Sequence, residues 1–237
     1  MAITLVTSGS VDNGTTASLN AQLGLSASIL ANDLVVAQFS FSSTGGNSFI
    51  DVHDNNAGGA YTAAVAATNN TAVGQWAGIY YFYMAGAASS LTVTASWSVS
   101  NEFGALTASI WRGIATSNPV DGAVQQQLLN TTNPTSTSVT TTAADLVVGN
   151  VQMLNLTPSV GSGFTILGSN TSTLLFSEYL IQSAAGSVQA NWTAASDSWT
   201  AQMAAFLPIA AVANLTYEDD SFAPIRVPPV DPVVSIW

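Results

Sequence analysis

The sequence predicts an all-β protein: a two-sheet antiparallel sandwich of jelly-roll or Ig-like type, with an internal pseudo-duplication and an extended C-terminal arm. Three observations carry this expectation. Short runs rich in Val, Ile, Thr, Phe, Tyr and Trp recur along the chain between clusters of Gly, Asn, Ser and Asp, and no stretch holds a convincing helical period. The pattern A-x-D-L-V-V occurs twice, at 31–36 and 143–148. Beyond Pro208 the composition changes to acids followed by closely spaced prolines.

In chain order, a weak strand at 3–7 precedes a strong one at 33–41 (DLVVAQFSF), where β-branched and aromatic residues dominate. A weak strand at 49–53 ends on the turn signal Asp54-Asn-Asn-Ala-Gly-Gly. Strong strands follow at 76–84 (WAGIYYFYM), 91–98 (LTVTASWS) and 105–111 (ALTASIW), then a weak one at 138–142. The second part of the chain supplies 145–153 (DLVVGNVQM), a weak 164–167, then 173–181 (TLLFSEYLI), 188–193 (VQANWT) and 199–207 (WTAQMAAFL). About a dozen short strands at this spacing fit two packed sheets.

The duplication extends past the hexapeptide. Tyr83 to Trp97 is echoed by Tyr179 to Trp192, so the offset of 112 between Asp33 and Asp145 falls to 95 or 96. The first copy, about 31–115, therefore carries an extra segment of about 16 residues around 45–72 relative to the second, about 143–210. With about five strands each, the copies are few-stranded for separate pairs of sheets, and the expectation is one large sandwich over 1–210. Trp97 and Trp192 fall at matching places and read as core residues.

Charge narrows the chemistry. The 237 residues hold 2 basic and 13 acidic side chains, a net −11, and charged residues are 6% of the chain against roughly 25% in ordinary domains. There is no Lys, which excludes a P-loop, a kinase site, a lysine Schiff base and a Ser-Lys dyad. Arg112 and Arg226 alone cannot support phosphate binding, so no nucleic-acid partner is expected. One His and no Cys cannot build a Cys/His zinc centre, and no cofactor is expected. The longest apolar stretch, 203–215, contains Pro208 and falls short of the roughly 20 residues of a membrane span. The start, MAITLV, lacks the basic and apolar pattern of a signal peptide.

The remaining candidates for chemistry are sparse. Asp51 and His53 share one face of a strand, but no G-x-S-x-G elbow accompanies them. Asp51, Asp54 and Asn55 offer oxygen ligands for Ca²⁺ without EF-hand spacing. A glycosidase needs two facing carboxyl groups, whereas Asp51, Asp54, Glu102, Glu178 and Asp197 are scattered singly. Asp33 and Asp145 read as turn residues accepting backbone N–H groups, and Glu178 as an outward-facing strand residue. No catalytic residue is assigned and the expectation is a non-enzyme. Trp76, Trp97, Trp111, Trp192 and Trp199 with Tyr80, Tyr81 and Tyr83 could form a sugar-stacking platform, although the matching places of Trp97 and Trp192 favour the core; Tyr81 and Tyr83 share one face. Seven Asn-x-Ser/Thr sequons, at Asn13, Asn69, Asn130, Asn155, Asn170, Asn191 and Asn214, are a mild excess in so Ser/Thr-rich a chain.

The order A-x-D-L-V-V, the turn from Asp54 to Thr62, I-Y-Y-F-Y, S-S-L-T-V-T-A-S-W and A-S-I-W-R-G-I-A-T-S-N-P-V-D-G (Ala108 to Gly122) resembles a poorly characterised β-sandwich family of environmental phage and bacterial surface proteins. The resemblance covers about residues 1–210, implies the fold, and brings no catalytic motif.

The arm, 211–237, holds Pro224, Pro228, Pro229 and Pro232, which disfavour helix and central strand and favour an extended course. It is nevertheless apolar, with Phe222, Ile225, Val227, Val230, Val233, Val234, Ile236 and Trp237. These eight residues, with Ile3 and Leu5 of the first strand, are the expected assembly interface, through which a terminal segment completes or clamps a neighbouring copy. The functional expectation is a self-assembling structural subunit at a virion surface (decoration, head-fibre or tail protein) or, alternatively, in a pilus-like extracellular filament. Its partners would be copies of itself and other virion or filament proteins. A carbohydrate-binding module is the alternative of another class.

Overall fold

The computed structural model describes residues 1–210 apart from 15, 43–45, 57–59, 72–73 and 102. The arm, with Phe222, Ile225, Val227, Val230, Val233, Val234, Ile236 and Trp237, lies outside the described residues, as does Glu102. The chain is all β, and its sheets are antiparallel throughout.

The first half builds a five-stranded sheet in the order β1 (Thr4–Asp12), β8 (Ala105–Arg112), β3 (Leu34–Ser42), β6 (Gln75–Tyr83), β5 (Thr62–Asn70). A three-stranded sheet, β2 (Ser18–Ile29), β7 (Ala88–Asn101), β4 (Phe49–Asp54), packs on one of its faces. The second half builds its five-stranded sheet in the order β9 (Val120–Thr131), β17 (Asp197–Phe206), β11 (Leu146–Met153), β14 (Leu175–Ile181), β13 (Thr165–Asn170). Two short pairs cover its outer face, β10 (Val139–Thr140) with β15 (Ser187–Val188) and β12 (Ser159–Val160) with β16 (Trp192–Thr193). The two five-stranded sheets thus repeat one connection order. They stack face to face, so the layers run small sheet, large sheet, large sheet, small pairs.

This layering explains the strongest apolar runs. A strand with both faces covered reads as a near-continuous hydrophobic segment, and Leu34 to Phe41, all of β11 and all of β17 are buried. β2, with solvent on one side, alternates instead, burying Ala21, Leu25 and Ile29. On β3, Val35, Ala37, Phe39 and Phe41 face the small sheet and pack with Leu91, Val93, Ala95 and Trp97. The opposite face of β3 enters the seam between the large sheets. There Leu34 and Val36 meet Leu146, Val148, Trp111 and Phe206.

Farther along the same faces the seam turns polar. Gln38, Asn150 and Gln202 are at most 1% exposed. Gln38 Nε2 donates to Gly149 O at 2.8 Å, Gln202 Nε2 to Ala77 O at 3.2 Å and Asn150 Nδ2 to Gly78 O at 3.5 Å. Asn70 Nδ2 donates to Thr200 Oγ1 at 3.0 Å. Each of these bonds joins one half to the other.

The halves do not interleave into one two-sheet sandwich. Strands β2, β5 and β9 supply what five strands per copy lacked, and each half closes its own core. The registers also move the second echo. Leu34 pairs with Tyr83 and Leu146 with Ile181, so the offset is 98 there and the structural counterpart of Tyr179 is Tyr81. The run expected at 188–193 divides between β15 and β16, because Ala190 N between them donates to Ser136 Oγ.

Candidate functional site

The sequence candidates are not brought together. His53 lies on β4 of the outer sheet, its Nδ1 3.2 Å from Asp51 Oδ1, with both side chains nearly half exposed. Asp54 is turned to structural use: its Oδ1 accepts Asn56 N at 2.8 Å and its Oδ2 accepts the Tyr61 hydroxyl at 3.2 Å. Burial, reinforced by that carboxylate, raises the Tyr61 pKa. Among the described residues no group of three or more metal-ligating side chains converges.

Four buried carboxyl groups fasten loops or stand at strand ends. Asp33, 2% exposed, accepts Leu30 N at 2.8 Å as a turn cap and forms a two-pronged pair with Arg112, Nε to Oδ1 at 2.8 Å and Nη2 to Oδ2 at 2.7 Å. Asp197 accepts Asn155 N at 2.9 Å, Leu156 N at 3.0 Å and Asn155 Nδ2 at 3.1 Å. Burial opposes its ionisation, but these bonds outweigh it and hold its pKa below the usual carboxylate value.

Glu178 corrects the outward reading: it has no exposed surface. It points under the β12–β16 pair, where Oε2 accepts Gly161 N and Oε1 accepts Asn191 N, both at 3.1 Å. Burial pushes its pKa up to about 8, although both backbone donors favour the ionised form. Asp145 corrects the second turn-cap reading. It occupies the place beside β11 that Asp33 occupies beside β3, yet among the described residues no backbone N–H reaches its side chain, and Thr142 N donates to Asp121 instead.

The aromatic platform dissolves into packing. Tyr81 and Tyr83 face the seam, Tyr81 meeting Phe206 edge-on at 5.6 Å and Tyr83 donating to Ala115 O. Tyr80 and Phe82 face the other way, against Phe39, Phe49 and Tyr61. Trp97 and Trp192 are buried, at 1% and 3% exposure. Trp111 and Trp199 are buried too, while Trp76 stacks on Phe41.

Ile3 and Leu5, expected at an assembly interface, are engaged within the chain. β1 pairs with β8 from Thr4 opposite Arg112 to Asp12 opposite Ala105, and Ile3 and Leu5 pack into the seam core. The first strand is therefore paired within its own sheet. The described chain ends beside that strand: Ile209 N donates to Gly113 O at 2.8 Å, and Pro208 bridges to Ile114. A mainly apolar hollow of about 280 Å³ opens there, lined by Met1, Ala2, Ile3, Ala144, Ile181 and Pro208. No protein-family model, curated protein or solved structure matches this chain.

Proposed function

We propose that this chain is a non-enzymatic structural subunit that assembles with copies of itself, its arm 211–237 being the segment that engages a neighbour. The reading is a phage virion component, such as a decoration, head-fibre or tail protein, in keeping with the surface-protein resemblance over about residues 1–210. The observation that carries it is the arm's composition: eight large apolar residues among its last sixteen positions, interrupted by four prolines. Burying even four of them is worth roughly 6–12 kcal/mol before ordering costs, enough to hold an interface. Proline lowers the entropy lost on docking and removes donors that would extend a sheet without limit.

Two structural observations support the reading. Pro208, two residues before the end of the described chain, lines the apolar hollow together with Met1 and Ile3. The buried carboxyl groups Asp33, Glu178 and Asp197 hold loops and strand ends, which is work for the scaffold. A bacterial extracellular filament would use the same device.

The test is deletion of residues 222–237, with assembly followed by sedimentation and negative-stain microscopy. The truncated chain is expected to remain folded and monomeric where the full chain assembles. Unchanged assembly, or failure of the truncated chain to fold, overturns the proposal.

A further inference from the structure

Asp145 is fully buried, and among the described residues no N–H or O–H reaches either of its oxygens; the group it faces is the carboxyl of Asp121. The corresponding carboxylate of the first half, Asp33, has Arg112. The registers show the replacement: Leu34 lies opposite Trp111 and Leu146 opposite Phe206, so Leu207 stands where Arg112 would be. One half neutralises its buried acid with a guanidinium, and the other sets two acids together.

Asp121 is aimed there by a β-bulge. Ala205 pairs with Gly122 and Phe206 with Val120, leaving Asp121 as the extra residue of β9. From that position it accepts both the Thr142 N–H and the Thr142 hydroxyl, the latter at 2.9 Å. Thr142 ends the segment that carries β10 across the outer face. The neighbouring Thr141 donates its hydroxyl to Gln182 Oε1 at 3.0 Å and accepts Gly186 N at 3.2 Å. Asp121 is thus bonded to the segment that follows β10 and faces the large sheet's buried acid at the same time.

We propose that the Asp121–Asp145 pair is a proton-operated latch that fastens the β10 segment, residues 137–142, to the large sheet of the second half. With one proton between them, Asp145 donates to the Asp121 carboxylate and Asp121 holds Thr142. Without it, two adjacent carboxylates repel, and Asp121, the more exposed of the two, turns away and releases Thr142. Among the described residues, the remaining groups around Asp145 do not supply a compensating charge. Thr141, Thr142 and Gln182 are uncharged, and the Met1 amino group, which lines the hollow beside Ala144, makes no ion pair with it. Arg112 is committed to Asp33, and Glu178 to Gly161 and Asn191. Burial, together with Asp121, pushes the Asp145 pKa up to about 7, so the latch operates around neutrality.

Hydrogen exchange of the full chain, corrected for intrinsic rates, tests this. Protection of 137–142 is expected to fall about tenfold or more between about pH 5 and about pH 9, while the centre of β11 keeps its protection. Asp145→Asn, which cannot ionise, is expected to retain protection of 137–142 at the higher pH. Protection of that segment that is independent of pH, or a loss in Asp145→Asn equal to the parent's, overturns the proposal. A carboxyl ¹³C titration of the parent protein decides the matter if the variant does not fold: a midpoint near neutrality for Asp145 supports the latch, and one in the ordinary carboxylate range overturns it.

Discussion

Asp33 and Arg112 show what one charge can be asked to do in a chain with two cations. Removing the guanidinium by Arg112→Met leaves a carboxylate that is 2% exposed with Leu30 N as its described partner, and the melting temperature is expected to drop by on the order of 5–10 °C. Asp33→Asn in the same background should recover much of that loss, and a single variant that melts like the parent would refute the pair's importance. The raised acids set the pH dependence. Asp145, up to about 7, and Glu178, up to about 8, hold protons in the folded chain that the unfolded chain has already released. Their contribution is complete below the unfolded carboxyl pKa and is lost as pH rises through the folded values. Asp121 and Asp197, held low, act oppositely and lose their contribution as pH falls through their folded values. Thermal melts should therefore show greater stability near pH 5 than near pH 9, and Glu178→Gln should flatten the alkaline part of that decline. The sequence could place Glu178 inside a strand, but face assignment fails where a strand is covered on both sides. Nor could it show that the Arg112 position of one half holds Leu207 in the other, because that correspondence runs through strand register.

The elements most legible in the sequence are those with both faces buried. β3, β11 and β17 combine apolar content with β-branched or aromatic residues, and their runs at 33–41, 145–153 and 199–207 match the observed strands to within two residues. β2, β5 and β9 escaped because they lie at the outside. Their Ala, Ser, Gly and Gln residues dilute β-propensity although β2 alternates cleanly. β7 carries the packing test at this scale. Trp97 lies 5.1 Å from Phe41 and donates from Nε1 to Ser18 O at 2.7 Å, with its ring seated against Gly104. A methyl group at Gly104 would overlap that ring, so Gly104→Ala should cost about 1–3 kcal/mol. Trp97→Ala should cost about 3–5 kcal/mol. Chemical denaturation measures both, and a neutral Gly104→Ala would mean that the ring is not confined as described.

At the scale of the molecule, the seam decides how the halves behave. Leu34, Val36, Trp111, Leu146, Val148 and Phe206 form one apolar cluster across it, and Gln38, Asn150 and Gln202 add bonds between the large sheets. The halves are therefore expected to unfold together, as a single calorimetric transition whose van't Hoff and calorimetric enthalpies agree. Two resolved transitions would show that the seam is a weak junction. The proposed assembly should in turn survive molar salt, since apolar contact is not screened, and dissociation by salt alone would point to ion pairing. The positions of residues 1 and 210 have a mechanical consequence. Gly113 stands against Ala2 on one side and accepts the Ile209 N–H on the other, so residues 1 and 210 leave the fold close together. Tension applied between them would peel the edge strand β1 from β8 one bond at a time, where shear would load the whole ladder at once. In the proposed assembly, a copy held by its C-terminal arm alone would feel no such pull, and a string of copies joined through both ends would have its weakest link at β1.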